Sequence, residues 1–329
     1  MSSSIVARTD IEESRQVVDI SLVIPVYEEA ESLHELYRQI ADVLETLPMS
    51  AEVIFVDDGS KDATAETLRQ LFEADPRVRV LCLRRNFGKT AALLAGFQEA
   101  QGRVIVTLDG DLQDDPKEIS RFLESLDEGN DLVSGWKRRR HDPITKTAPS
   151  RLFNAVVRRS TGIPLHDFNC GFKAYRSEVL DELKLYGELH RFIPVMAFWK
   201  GYRIGEIEVE HHPRRFGRSK FGTGRLFKGL LDFLKVMFLT RYMQRPLQLF
   251  GILGLGVWLL GVLGFLYILA LKVEGQSVFQ SHGPLLFLSG ILIVGGIQLF
   301  MLGLVGEMLR HYAFRASDEY SVRQRLKRE

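Results

Sequence analysis

Two uncharged apolar runs constrain this chain more than any other feature. Residues 246–271 read PLQLFGILGLGVWLLGVLGFLYILAL and residues 284–305 read PLLFLSGILIVGGIQLFMLGLV, with no Asp, Glu, Lys or Arg in either. Each is long enough to cross a hydrocarbon layer of roughly 30 Å as a helix. A segment surrounded by lipid must satisfy its backbone polar groups internally, which a helix does by itself. One such run could be the core helix of a soluble domain. Two in tandem point to a membrane hairpin, with spans at 246–271 and 284–306. Lys235, Arg241 and Arg245 precede the first span, and Arg310, Arg315, Arg323, Arg325, Lys327 and Arg328 follow the second. The connector KVEGQSVFQSHG holds one Lys and one Glu. The positive-inside rule then predicts both chain ends in the cytosol. Glycines at 251, 254, 256, 261, 264, 290, 295, 296, 303 and 306 predict close helix packing within the hairpin or a homo-oligomer.

At 329 residues, the chain has room for a domain ahead of this hairpin. Lys and Arg number 43 against 42 Asp and Glu, so no global basic field argues for nucleic acid. The balance is segregated, however: acidic residues concentrate before about residue 135, and basic ones in 136–160 and 203–245. Cys82 and Cys170 are expected as free thiols. Residues 1–19 are polar and mixed in charge, without the apolar stretch of a signal peptide, and are expected to form a flexible tail.

The region after this tail alternates in character. Apolar runs SLVIPVY (21–27), AEVIFVDDGS (51–60), RVRVLCLRR (77–85) and RVIVTLDGD (103–111) are separated by helical patterns over about 29–47, 62–73 and 89–100. In the first of these, Leu33, Leu36, Ile40, Val43, Leu44 and Leu47 recur at helical spacing. Strands alternating with helices predict an α/β domain with a mostly parallel, Rossmann-like sheet. Ligands of such sheets bind beyond the carboxyl ends of the strands. Residues 25–29, 57–60 and 109–113 fall there. Asp109, Asp111, Asp114 and Asp115 crowd into seven residues, and such repulsion is relieved if a divalent cation sits among them. Oxygen donors of this kind suit Mg²⁺ or Mn²⁺, ions that bridge diphosphates and stabilise a leaving group. Asp114 and Asp115 precede Pro116 and are assigned to capping the next helix.

The stretches SLVIPVYEEAESL, VIFVDDGSKDAT, RRNFGKTAALLAGF, VTLDGDLQDDP, DFNCGFKAYR and RRFGRSKF together resemble the family 2 glycosyltransferases of GT-A fold. The resemblance extends over roughly residues 20–306 and is nearest to the polyprenyl-phosphate branch: dolichol-phosphate mannose synthases and bacterial undecaprenyl-phosphate glucosyltransferases. It implies a cytosolic catalytic domain over 20–218, a juxtamembrane amphipathic segment over 219–245, the two spans in a bacterial inner membrane, and a basic tail over 307–329. It also implies nucleotide-sugar contacts from Pro25, Tyr27, Glu29, Asp57, Asp58, Gly88, Lys89 and Asp109, and a metal site at Asp109, Asp111 and Gln113. Asp57 and Asp58 also suit a turn or helix cap. GKT at 88–90 is not a phosphate-binding P-loop, since position 83 is Leu83 where that motif has glycine.

The same resemblance points to Asp167 as the base, so Asp111 and Asp167 are the expected catalytic residues. A lipid phosphate is anionic near neutral pH, which leaves room for Asp167 to orient a substrate rather than remove a proton. Lys137, Arg151, Arg218, Ser219 and Lys220 are the expected contacts of the acceptor phosphate. In 221–243, Phe227, Leu230, Leu231, Leu234, Phe238 and Leu239 recur at helical spacing, as in a helix lying in the membrane interface. The reaction implied is an inverting transfer of a sugar, with glucose from UDP-glucose the first choice and GDP-mannose or another UDP-sugar the alternative, to undecaprenyl or dolichyl phosphate. A catalytically silent membrane scaffold is the rival class, which the intact DGDLQ opposes. A processive polysaccharide synthase would carry an Arg-Trp pair that this chain lacks, and an oxidoreductase would show G-x-G-x-x-G after its first strand.

Overall fold

A computed structural model describes residues 18–138, 144–183, 185, 189–213, 246–275 and 277–313. The chain divides into two units, residues 1–232 and 233–329. The expected N-terminal tail lies almost wholly outside the described residues, as do the juxtamembrane helix over 221–243 and Arg218, Ser219 and Lys220.

The first unit is built on β1 (Ile20–Val26), α1 (Ala30–Thr46), β2 (Ala51–Asp57), α2 (Thr64–Ala74), β3 (Val78–Cys82), α3 (Lys89–Glu99) and β4 (Val104–Thr107). These agree with the alternation read from the sequence. β1 is buried along its length except at Pro25, which explains its near-continuous apolar composition: a parallel strand covered on both faces has no polar side. On α1, Leu33, Leu36, Ile40, Val43 and Leu44 form the buried stripe, and Leu47 packs against its edge.

Beyond β4 the chain forms a short 3₁₀ turn (Pro116–Glu118), α4 (Ile119–Asp127), β5 (Leu132–Trp136), α5 (Ile144–Thr161), β6 (Lys173–Arg176), α6 (Ser177–Asp181), a 3₁₀ turn (Leu189–Phe192), α7 (Ile193–Trp199) and β7 (Ile204–Glu208). The seven strands lie in the order β3-β2-β1-β4-β6-β5-β7. β1 pairs in parallel with both β2 and β4, while β6 runs antiparallel to β4 and β5. Strand order therefore reverses between β1 and β4, the place where open α/β sheets leave a crevice. Both cysteines are free, Cys82 exposed and Cys170 buried.

The second unit contains α8 (Pro246–Val273) and α9 (Val278–Ala313). Helices 246–273 and 281–309 are long and apolar enough to cross a membrane. α9 departs from helical geometry at His282, just ahead of Pro284, whose ring is incompatible with the preceding turn. α8 and α9 touch backbone to backbone. A Cβ on Gly254 would lie 2.7 Å from the carbonyl of Gly296 and 2.7 Å from the N–H of Phe300, so only glycine allows this approach.

Candidate active site

The loops after β1, β2 and β4 are tied into one body. The Asp58 N–H donates to the Val26 carbonyl at 2.9 Å, the Glu28 N–H to Ser60 Oγ at 2.8 Å, and the Glu29 N–H to Thr64 Oγ1 at 3.0 Å. Ser32 Oγ donates to the Gly110 carbonyl at 2.7 Å, which joins the first turn of α1 to the DGDLQ loop. The left-handed non-glycine residues among those described are Glu28 (φ 52°) and Leu112 (φ 60°), one in each of the two loops that flank the crevice. Such backbone is held only where its surroundings over-determine it, and it concentrates at functional sites.

Asp57 and Asp58 divide the work. Asp57 is buried and accepts from the Ser60 N–H at 3.0 Å, so it shapes its own turn. Asp58 is also buried and accepts from the backbone N–H groups of Phe87 (2.7 Å) and Gly88 (2.9 Å). Gly88 has φ 95° and opens α3. Both aspartates therefore do the structural work of a turn and a clamp. Tyr27 lies beside them; partial desolvation and the negative charges of Glu28, Asp58 and Asp57 raise its pKa and keep its hydroxyl protonated.

Lys89, the first residue of α3, forms an ion pair with Asp109. Burial alone would raise the Asp109 pKa, but the charges of Lys89 and then Lys137 override it and hold the carboxyl at about 2. Asp109 also lies flat against Gly171: a Cβ there would sit 2.7 Å from its nearer carboxylate oxygen. The Asp111 carboxylate accepts from the Gln113 N–H at 3.2 Å. The Gln113 carbonyl accepts from the His212 N–H at 2.9 Å, and its side-chain amide donates to the His212 carbonyl at 3.4 Å. The loop is thus braced from both sides, by α1 and by residues 211–212. Two carboxylates and a side-chain amide lie within this five-residue loop, oxygen donors of the type that suits Mg²⁺ or Mn²⁺.

Asp114 and Asp115 part company. Asp115 caps the 3₁₀ turn, accepting from the Lys117 N–H at 3.0 Å, as its position before Pro116 predicts. Among the described residues Asp114 caps no helix. The left-handed turn at Leu112 precedes it, and its fully buried carboxylate pairs with the Lys137 ammonium at 2.6 Å. Burial disfavours the charged lysine, but the attraction of Asp114, aided by Cys170 and Asp109, keeps the Lys137 pKa above its ordinary value.

Lys137 borders a cavity of about 340 Å³ with Trp136, Arg138, Arg158, His166 and Asp167. Trp136 and His166 stack with ring centroids 4.2 Å apart, giving the cavity a flat wall. Asp167 is buried; its carboxylate accepts from the Asn169 N–H at 3.0 Å and from Asn154 Nδ2 at 3.3 Å. It therefore fixes its turn and lines the cavity at once. Arg151 belongs to α5, but its side chain lies outside the described residues.

Several polar residues of this region escaped the sequence reading. Lys173 points inward from β6, donates to the Cys170 carbonyl, and has its pKa lowered by burial. It feels the charges of Asp167 and Asp109 together, so the cavity and the DGDLQ loop are electrostatic neighbours. Burial pushes the Cys170 thiol up to about 12, which rules out a thiolate nucleophile. His190 is within 2.6 Å of Thr90 Oγ1; burial and then the Lys89 charge press its pKa well below the ordinary value. Asp115, Glu210 and His212 bring one ligand atom each within 4.8 Å of one another. The visible signal for Lys173 was a lysine among apolar positions of a strand. For His190 there was none.

Comparison with known proteins supplies the family. The chain matches the model of glycosyl transferase family 2 over residues 21–184. It is 40% identical over 318 residues to the dodecaprenyl-phosphate galacturonate synthase of Rhizobium johnstonii, covering 94% of this chain and 93% of that protein. It is 37% identical over 291 residues to the undecaprenyl-phosphate 4-deoxy-4-formamido-L-arabinose transferase of Pseudomonas paraeruginosa, covering 88% and 84%. Among solved structures, glucosyl-3-phosphoglycerate synthase from Mycobacterium tuberculosis, in complex with Mn²⁺ and UDP-glucose, superposes with a TM-score of 0.52 at 20% identity, over 66% of this chain and 78% of that one. That likeness establishes the GT-A type of sheet. The near full-length relatives and the family model make this chain a glycosyltransferase of family 2, in the branch of polyprenyl-phosphate sugar transferases.

Proposed function

We propose that the protein moves a sugar from a nucleoside diphosphate to a polyprenyl phosphate at the cytosolic face of the membrane, with inversion at the anomeric carbon. The observation that carries this reading is that the DGDLQ loop, the N-terminus of α3 and a cavity bordered by Asp167 and three cationic side chains all lie at the carboxyl ends of the parallel strands. Asp109, Asp111 and Gln113 would hold a divalent ion, which when bound supplies charge stabilisation to the departing diphosphate. The loops carrying Pro25, Tyr27, Glu29, Asp57 and Asp58 shape the nucleoside end. Gly88 and Lys89 present a helix N-terminus and an ammonium group to the phosphates.

An oxygen of the lipid phosphate attacks the anomeric carbon as the bond to the nucleoside diphosphate breaks. That nucleophile needs no deprotonation. Asp167, held by Asn154 and Asn169, positions a sugar or acceptor group in the cavity. Lys137, joined by Arg138 and Arg158, brings positive charge to the place where the acceptor phosphate would emerge. Arg151, Arg218, Ser219 and Lys220 complete that set on sequence grounds alone. α8 and α9 anchor the enzyme in the membrane, with both termini inside as the flanking charges predict.

UDP-glucose is the donor expected from the sequence. The relatives named above act on galacturonate and on a formamido-arabinose, so a uronic or modified sugar on the same nucleotide is the second reading. The test is to supply membranes with radiolabelled UDP-sugars of both kinds and undecaprenyl phosphate, and to count label in the lipid extract. Transfer from one donor is expected, and Asp111→Ala is expected to reduce it by at least 10²-fold. Full activity of that variant would overturn the metal assignment.

A further inference from the structure

Glu206, on the edge strand β7, reaches the loop that carries Asp167. Its Oε1 accepts from the backbone N–H of His166 at 2.7 Å and of Asp167 at 3.0 Å. Its Oε2 lies 2.7 Å from His166 Nδ1. A carboxylate has no proton to give, so Nδ1 carries the hydrogen and donates it. In a neutral imidazole the other nitrogen then holds a lone pair. The ring is fixed twice over. Glu206, whose side chain is 11% exposed, holds its edge, and Trp136 stacks on its face at 4.2 Å with an interplanar angle of 17°. No local motif joins residues 136, 166 and 206; the parallel pairing of β5 with β7 brings them together. His166 lines the cavity beside Asp167, and Nε2 is the polar atom of its ring that has no partner among the described residues.

The other walls give that lone pair a use. Lys137, Arg138, Arg158 and Asn154 line the cavity with hydrogen-bond donors, which suit an anion. A sugar hydroxyl that donates needs an acceptor instead. The Asn154 side-chain oxygen already accepts from Asn169 Nδ2 at 3.2 Å, and the Asp167 carboxylate from the Asn169 N–H and Asn154 Nδ2. We infer that His166 Nε2 accepts a hydrogen bond from one hydroxyl of the transferred sugar, and that Glu206 is the positioning residue that sets the tautomer. The inference rests on the functional reading above and deepens it, assigning the sugar to the His166 lone pair and the acceptor phosphate to the cations. A site built this way rejects a sugar lacking that hydroxyl, because the buried acceptor is left unpaired.

Glu206→Gln separates tautomer from fold. The Gln carbonyl replaces Oε1 and keeps both backbone N–H groups satisfied. Its NH₂ then faces Nδ1, which must accept, so the proton moves to Nε2 and the cavity meets a donor in place of a lone pair. The experiment uses the full-length protein in nanodiscs near neutral pH, labelled with ¹⁵N-histidine; the signals missing from His166→Phe identify the ring. Wild type should show Nδ1–H and a bare Nε2, and Glu206→Gln the reverse. Transfer is then measured from the UDP-sugar that wild type uses in the labelled-lipid assay and from its monodeoxy analogues. Wild type should disfavour one analogue by more than about tenfold in kcat/KM. His166→Phe, which keeps the stack on Trp136, should erase that preference and lower kcat/KM for the parent sugar about tenfold. Glu206→Gln should do the same and add nothing in the His166→Phe background. A doubly protonated His166 in wild type, or the same preference in wild type and His166→Phe, would overturn the inference while transfer by wild type left the functional reading standing. Absence of transfer from every UDP-sugar would overturn the functional reading, with the tautomer still decided by the ¹⁵N spectrum.

Discussion

Replacing Lys137 with methionine tests the buried ion pair directly. The Asp114 side chain is fully buried, the Lys137 side chain is 12% exposed, and among the described residues neither Asp114 oxygen has a hydrogen-bond partner besides that ammonium. Removing one partner of such a pair leaves an uncompensated buried charge, at about 3–5 kcal/mol. The carboxyl has an escape, which is to take up a proton. From an unfolded pKa of about 3.9 this costs about 4 kcal/mol near neutral pH, and that caps the loss. A deficit of about 3–4 kcal/mol corresponds to a drop of about 6–16 °C in the melting temperature of a domain of this size. The sign with pH follows. In the variant, burial without a counter-charge disfavours the Asp114 carboxylate in the folded state, so acid should favour folding. The deficit should shrink by up to about 1.4 kcal/mol for each pH unit on acidification from about pH 7 towards about pH 4. Adding Asp114→Asn should recover most of the loss at neutral pH. Melting of the nanodisc-embedded protein, followed through Trp136 beside the pair, is the assay. A deficit below about 1 kcal/mol, or one that does not change with pH, would refute the reasoning.

Two further outcomes follow from the same region. Gly171→Ala puts a Cβ 2.7 Å from an Asp109 carboxylate oxygen, the end of a side chain rather than backbone, so the carboxylate swings aside. Stability should change by less than about 1.5 kcal/mol while transfer falls about 10²-fold, measured by melting and by lipid-linked label. His190 is buried with a lowered pKa, so below about pH 6.5 the unfolded chain takes up a proton that the folded one refuses. Stability should fall with pH there by up to about 1.4 kcal/mol per unit, and His190→Gln should flatten that slope in pH-dependent melting.

β1, β2 and β4 are legible because a parallel strand covered on both faces must be apolar, and its acidic end then stands out; β3, an edge strand carrying Arg79, is legible from its valine alternation. Asp109 and Asp111 were found that way. The second half of the sheet was harder. LVSGW, KAYR and IGEIE are short, carry glycine or charge, and have no apolar run to announce them. Asp114 was read as a cap from its place before Pro116. A left-handed Leu112, which no propensity suggests, accompanies its inward turn. Lys137 sits in a basic run that reads as solvated, and only the pairing of β5 with β6 and β7 shows that its start is interior. Lys89 was recognised as a helix-start residue near a nucleotide. Its pairing with Asp109 depends on the crossover that packs α3 over β1 and β2 with its first residue at the loop after β4, a fact of topology that local sequence does not contain.

The contact between Gly171 and Asp109 limits how an enzyme on this scaffold could acquire a new donor. Position 171 borders the aspartate on one side and leads into the strand bearing Lys173 on the other, yet it cannot grow a side chain to read a sugar. Diversification is diverted to the walls of the neighbouring cavity, where Ser150 and Ala155 could be exchanged without touching the DGDLQ loop or the acceptor cations. A change of sugar and a loss of turnover are thereby assigned to different residues, which lets selection explore one while sparing the other.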